Sequence, residues 1–271
     1  ALDCFYALNR IGAVCNMIHP LSAPQEIAFY LNASHSKAIL TLDQFYYKVA
    51  EIQPQLSQPV TILVARVADE LPAPLSLLYP LTKSARAVKK LPRGGYTLWQ
   101  RMVSAGRGQV LPADQGRFDE CCAILYSGGT TGTTKGILLS NLNFNALALQ
   151  TIAASGFTMD EISDMKMLSV MPVFHGFGLG VSIHSMVANG GHCILIPRFT
   201  PQSYAELIKK HQPNLIAGVP SLFEALLRVK EIEGADLSCL LGVFSGGDSL
   251  SIELKKKFDK FLYDHKASIQ V

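Results

Sequence analysis

From Cys121 to Val271 short apolar runs alternate with amphipathic stretches, and this alternation restricts the fold more than any other feature. "CCAILYS", "GILLS", "MKMLSVMP", "HCILIP", "NLIAGVP", "LLGVFSGG" and the terminal "KASIQV" read as strands. Between them lie helical patterns. "LNFNALALQTIAAS" has Ser140 or Asn141 as its cap, and "GFGLGVSIHSMVAN" ends at Gly190–Gly191. "PQSYAELIKKHQ" places Tyr204, Leu207, Ile208 and His211 at i, i+3, i+4 and i+7. "SLFEALLRVKEI" is a further helix, and "SIELKKKFDKFLYDH" carries the stripe Leu254, Phe258, Phe261 and Leu262. Strands separated by helices imply parallel pairing through right-handed crossovers, an α/β fold.

The first sixty residues follow the same rhythm. "PQEIAFYLNAS" is a helix with Pro24 in its first turn, "KAILTL" a strand, "DQFYYKVAEIQ" a helix capped by Asp43, and "PVTILVARV" a buried strand. Between about 68 and 117 the pattern weakens into prolines, basic residues and one short helix, "TLWQRMVSAG". The expected division is therefore 1–120 and 121–271. With 271 residues, 49% of them apolar, the chain can bury a large core. A charged fraction of 17% and a net charge of +3 point neither to disorder nor to a nucleic-acid-binding surface. The six cysteines form no C-x-x-C pair and read as reduced thiols of a cytosolic protein. No uninterrupted apolar run has membrane-spanning length, and the first residues do not resemble a signal peptide.

Residues Ser127 to Lys135 are only Gly, Thr, Ser or Lys, flanked by strand-like residues on both sides. Gly128, Gly129 and Gly132 let the backbone turn tightly and aim several N–H groups into one concavity, which holds anions. Thr130, Thr131, Thr133 and Thr134 add hydroxyl donors, and Lys135 adds a charge suited to phosphate. A polyphosphate is the natural occupant. A polar surface hairpin is the alternative, and the length of the run and its apolar flanks argue against it. A Walker loop is excluded, because Gly136 follows Lys135 and the run leads into a strand rather than a helix; the G-x-G-x-x-G pattern is absent here too.

"YSGGTTGTTKG", Tyr126 to Gly136, resembles the signature of the adenylate-forming superfamily of acyl- and aryl-CoA synthetases, peptide-synthetase adenylation domains and luciferases. One position departs from it: Thr134 stands where the signature has Pro, which removes a fixed φ but no donor. "LNRIGAVCNMIHPLS", "MPVFHGFGLG", "LIAGVPSLFEALL" and "VFSGGDSLS" are similar to further family segments, in family order. The resemblance implies the family's large N-terminal domain, two mostly parallel β-sheets flanked by helices. It also implies that N-terminal strands and the small C-terminal domain lie outside these residues.

The chemistry implied is attack of a carboxylate on the α-phosphate of ATP, giving acyl-AMP and pyrophosphate, then thioester formation with CoA. By position, the run Ser127–Lys135 would line the pyrophosphate. His175 would stand near the acyl carboxylate and the reacting phosphate. Gly246 and Gly247 would approach adenine and acyl chain, with Asp248 beside them or capping the next helix. Phe174, Phe177 and Val219 would face an acyl pocket or pack in the core. His184 and His192 read as structural. His175 in place of an acidic residue favours a simple fatty or aryl acid over an amino acid. No metal ligand is assigned in this chain; in relatives a Glu in a later segment holds Mg2+, so an incomplete catalytic core, inactive alone, is expected. The basic cluster Lys83, Arg86, Lys89, Lys90 and Arg93 reads as a solvated face, with an anionic membrane surface or CoA phosphates as alternatives. Within the superfamily the competing reading is a domain that loads a carrier protein. Outside enzymes it is a nucleotide-binding module that kept the fold.

Overall fold

The computed structural model describes residues 1–111, 118–127, 134–196 and 199–271. It divides into two compact units, Ala1–Gln115 and Gly116–Val271.

In the first unit, α1 (Leu2–Arg10) and β1 (Cys15–Met17) precede α2 (Pro24–Ala33). Strands β2 (Ala38–Leu42), β3 (Thr61–Ala65) and β4 (Thr97–Leu98) form a parallel sheet in sequence order. Pro24 opens α2, where its missing N–H costs nothing, and Glu26 accepts from the Ala23 amide. Ile27, Ala28 and Leu31 of α2 pack with Ile52 of α3 (Tyr46–Ile52) against Ile39 of β2. Tyr46 and Val49 cover Ile62 and Val64 of β3. Asp43 is not the cap that the sequence suggests. It begins a 3-10 turn, Asp43–Phe45, and its carboxylate accepts from the adjacent Gln44 amide, too near to reach the α3 terminus. The β3–β4 connection holds two short helices, α4 (Leu75–Leu78) and α5 (Lys83–Arg86), and α6 (Trp99–Ala105) follows β4.

The second unit opens with an antiparallel hairpin of β5 (Cys121–Ser127) and β6 (Lys135–Ser140). Next comes α7 (Asn141–Ser155), where Ser140 accepts from the Asn143 amide and the Asn143 side chain answers to the Ser140 amide. Gly156, at φ 77°, takes the left-handed conformation that ends it. After α8 (Met159–Ser163), the strands β7 (Lys166–Ser169), β8 (His192–Leu195), β9 (Leu215–Gly218) and β10 (Gly242–Ser245) form a parallel sheet in the order β10-β9-β7-β8.

Period-2 alternation builds two cores from this sheet. Leu168, Ile216 and Val243 pack with α10 (Pro201–His211), α11 (Pro220–Leu226) and α12 (Ile252–Asp264). Their neighbours Met167, Leu215 and Ala217 pack with Ile152, Ile162 and Met186 from α7, α8 and α9 (Ser185–Ala188). The expected stripes hold: Tyr204 and Ile208, and Phe258 and Leu262, are fully buried. Residues 267–271 form no strand ladder; Ile269 and Val271 pack on the core and the Val271 amide donates to Asp259 instead. The helix expected after Pro172 is π-helical over Phe177–His184, with Ser185 Oγ donating to the Gly180 carbonyl. All six cysteines are thiols, Cys15 and Cys122 buried and the others half-buried. No helix among the described residues is long and apolar enough to cross a membrane.

Candidate functional site

The strand order fixes where a ligand can sit in the second unit. The chain moves from β7 outward to β8, then returns to the other flank of β7 as β9. At such a reversal, the loops leaving the carboxyl ends of adjacent strands diverge and open a crevice. Three sequence-predicted segments leave the sheet at that edge: Val170–Phe177 after β7, Val219–Pro220 after β9, and Gly246–Asp248 after β10.

Close contacts join them. The Gly246 amide donates to the Gly218 carbonyl at 3.1 Å, extending the β9–β10 ladder by one bond. A Cβ on Gly246 would lie 3.0 Å from Cζ of Phe177, and one on Gly247, at φ 79°, would lie 3.2 Å from Val219. Glycine here is required by close approach and by backbone conformation together. Ser245 Oγ, at the end of β10, is buried without a hydrogen-bond partner among the described residues. Asp248 is exposed and accepts from the Ser249 amide; the cap of α12 is Ser251, so the helix-capping reading of Asp248 is corrected.

His175 is exposed on the β7 loop. Its amide donates to Pro172 at 3.1 Å, and its carbonyl accepts from Leu179 at 2.9 Å, so its backbone is held at both ends. The Phe177 amide donates to His175 Nδ1 at 3.3 Å. In the neutral ring this places the proton on Nε2, as an outward donor. The turn stays tight because Gly178 carries no side chain: a Cβ there would fall 2.1 Å from the Pro172 carbonyl oxygen.

The hairpin comes up to the same loop. A Cβ on Gly176 would lie 3.6 Å from Cδ1 of Leu125 in β5. Ser127 pairs in register with Lys135, so the ladder pins both ends of the Gly/Thr run. Lys135 is exposed, and no acidic group pairs with it among the described residues. Thr134 is half-buried. Gly128, Gly129, Thr130, Thr131, Gly132 and Thr133 lie outside the described residues.

Beside this edge lies a cavity of about 280 Å³, lined by Leu139, Phe144, Leu147, Gly176, Phe177 and Val181 with Asn143 at its polar margin. A Cβ on Gly180 would meet Leu147 at 2.6 Å, so α7 and the π-helix pack against each other at a glycine. Phe177 touches both this cavity and the Gly246 turn; Phe174 and Val219 do not line it. Sequence reasoning named Phe177 but missed the α7 wall. The glycines of "GFGLG" carried a signal for it, because they mark where a helix must approach closely. His184 is buried, with Nε2 at 3.0 Å from Asn145 Oδ1 and its ring edge-on to Phe144; burial lowers its pKa. His192 is exposed on β8.

The second unit thus carries a glycine-lined crevice at the carboxyl end of a parallel α/β sheet. The chain belongs to the AMP-binding enzyme family, whose profile matches residues 2–270. It is 30% identical over 258 residues to a long-chain-fatty-acid–CoA ligase of Bacillus subtilis, covering 94% of this chain and 46% of the relative. It is 27% identical to 4-coumarate–CoA ligase 2 of Oryza sativa, covering 93% of this chain and 42% of that one. Among solved structures, an anthranilate CoA ligase in complex with anthranoyl-AMP superposes with a TM-score of 0.77 at 20% identity, covering 94% of this chain and 45% of that one. The chain thus spans about half the length of the relatives it matches.

Proposed function

We propose that this protein activates a carboxylic acid with ATP, forming acyl-AMP and pyrophosphate, and then passes the acyl group to the thiol of CoA. The observation that carries this reading is that the turn holding His175 meets two neighbours: Phe177 lies against Gly246, and Gly176 lies against Leu125 of hairpin strand β5. Lys135 and the hydroxyls of the run would hold the pyrophosphate half of ATP, where charge builds as the leaving group departs. The Nε2–H of His175 would donate to the oxygens of the reacting carboxylate and phosphate. Gly246 and Gly247, with the unpartnered Ser245 hydroxyl behind them, fit a flat, polar-edged ring such as adenine, which needs close backbone approach. The α7 cavity is apolar and suits a fatty or aryl tail, in line with the fatty-acid and 4-coumarate ligases among the relatives. Among the described residues no three His, Cys, Asp or Glu side chains converge on a metal, so no ligand is assigned to the magnesium that accompanies ATP.

Because the matched relatives are about twice as long, we infer that residues beyond these 271 complete the catalytic cycle. A cytoplasmic location, where ATP and CoA are plentiful, suits this chemistry. Titration of the intact protein with a nonhydrolysable acyl-adenylate analogue tests the reading. Saturable binding that is competed by ATP is expected. Absence of binding would favour a module that kept the fold without the activity. ATP–pyrophosphate exchange that needs no CoA, with acyl transfer to a carrier protein, would favour the carrier-loading alternative.

A further inference from the structure

The β3–β4 connection does not do what a crossover between parallel strands ordinarily does. Such a segment covers its sheet with apolar side chains. Here α4 and the 3-10 turn Tyr79–Leu81 turn their leucines outward: Leu77 is 77% exposed and Leu81 65%, with Leu75 and Leu78 also exposed. Directly after them come Lys83, Arg86, Lys89, Lys90 and Arg93, all exposed. No acidic side chain pairs with any of the five among the described residues; Lys89 lies over the Tyr47 ring. The arm is not a loose end. Gln100 donates to Glu70 at its base, the Tyr47 hydroxyl donates to the Lys90 carbonyl, and Thr82 caps α5.

The charge is concentrated here. Leu71–Leu111 holds seven Lys and Arg and no Asp or Glu, so +7 in this stretch against a total of +3 leaves −4 for the rest of the chain. A solvated face accounts for the cations but leaves four neighbouring leucines in water without a reason. A second copy of this face is disfavoured, because it would set cation against cation. A nucleic acid would satisfy the cations and give the leucines nothing. An anionic lipid bilayer satisfies both: headgroups meet the cations, and the leucines enter the boundary of the acyl chains.

We propose that Leu75–Arg93 is a docking surface for an anionic lipid bilayer, with the leucines inserting and the basic residues holding the headgroups. The proposal stands independently of the ligase reading.

Flotation of the intact protein with vesicles of phosphatidylcholine alone, or of phosphatidylcholine with phosphatidylglycerol, tests it. The protein is expected to float with the anionic vesicles and not with the neutral ones. Replacing Lys83→Gln and Arg86→Gln together is expected to weaken partitioning about five-fold per charge. Replacing Leu77→Ser and Leu81→Ser together is expected to weaken it about tenfold per leucine. All four side chains lie outside both cores of the first unit, so unchanged circular-dichroism melting should accompany these losses. In the unmodified protein, added salt should remove part of the binding and leave a residual share carried by the leucines. Equal flotation with neutral vesicles, full retention by the leucine variant, or complete release by salt would overturn the proposal. Tighter binding to single-stranded RNA than to anionic vesicles would assign the surface to nucleic acid and overturn it as well.

Discussion

Phe177 lies over Gly246 so closely that a Cβ at Gly246 would come within 3.0 to 3.4 Å of three ring carbons. Phe177 also lines the apolar cavity, so one ring forms a wall shared by the two halves of the site. Gly246→Ala therefore forces the ring toward the cavity. Overpacking of this kind costs about 1–3 kcal/mol. We expect a lowered Tm, and a KM for the acid raised more than kcat is lowered. Steady-state kinetics beside calorimetry checks this; unchanged kinetics with a lowered Tm would separate Phe177 from the acid's path.

His175 and Lys135 are both exposed, so their loss should leave stability within about 0.5 kcal/mol. His175→Ala is expected to slow ATP–pyrophosphate exchange about 100-fold, the scale of losing one positioned donor. Lys135→Met is expected to raise the KM for ATP while changing the KM for the acid little. A shift in the acid's KM alone would place Lys135 away from the phosphates.

His184 gives a stability signature unconnected with catalysis. Burial holds its pKa below the ordinary value of about 6.5, and the neutral ring pairs with Asn145. The unfolded chain therefore binds a proton at a pH where the folded protein does not. This group's contribution is fully present above the unfolded pKa and is lost as pH falls through the folded one. Urea unfolding between neutral and mildly acidic pH should show falling stability, and His184→Gln should flatten the slope. An unchanged slope would assign the acid sensitivity to other groups.

The regular elements of the second unit were legible because each carried a local signal. The Ser140–Asn143 capping box, the Tyr204–Ile208 stripe and the period-2 switch at Met167–Leu168 each specify structure within a few residues. The candidate site residues stand in the sequence as glycines, one lysine and one histidine, and the fold brings the His175 turn and the Gly246–Gly247 turn to one sheet edge. What was not legible depended on distance in the chain. The packing of Leu147 on Gly180 joins residues 33 apart, and only the fold brings them together. The π-helical turn at Phe177–His184, with Gly178 seated on the Pro172 carbonyl, is a further feature that no periodicity shows. Asp43 and Asp248 had the right residue type for caps, yet each bonds its immediate neighbour, because Asp competes for the nearest amide as readily as for a helix end.

The central claim is that a carboxylate oxygen attacks the α-phosphate of ATP in this protein. Incubation of the intact protein with ATP, CoA and an acid labelled with 18O in its carboxylate tests it most directly, with mass spectrometry of the nucleotide product. The account predicts AMP carrying a single 18O, formed in step with the thioester. ADP as the product, or AMP without label, would contradict it.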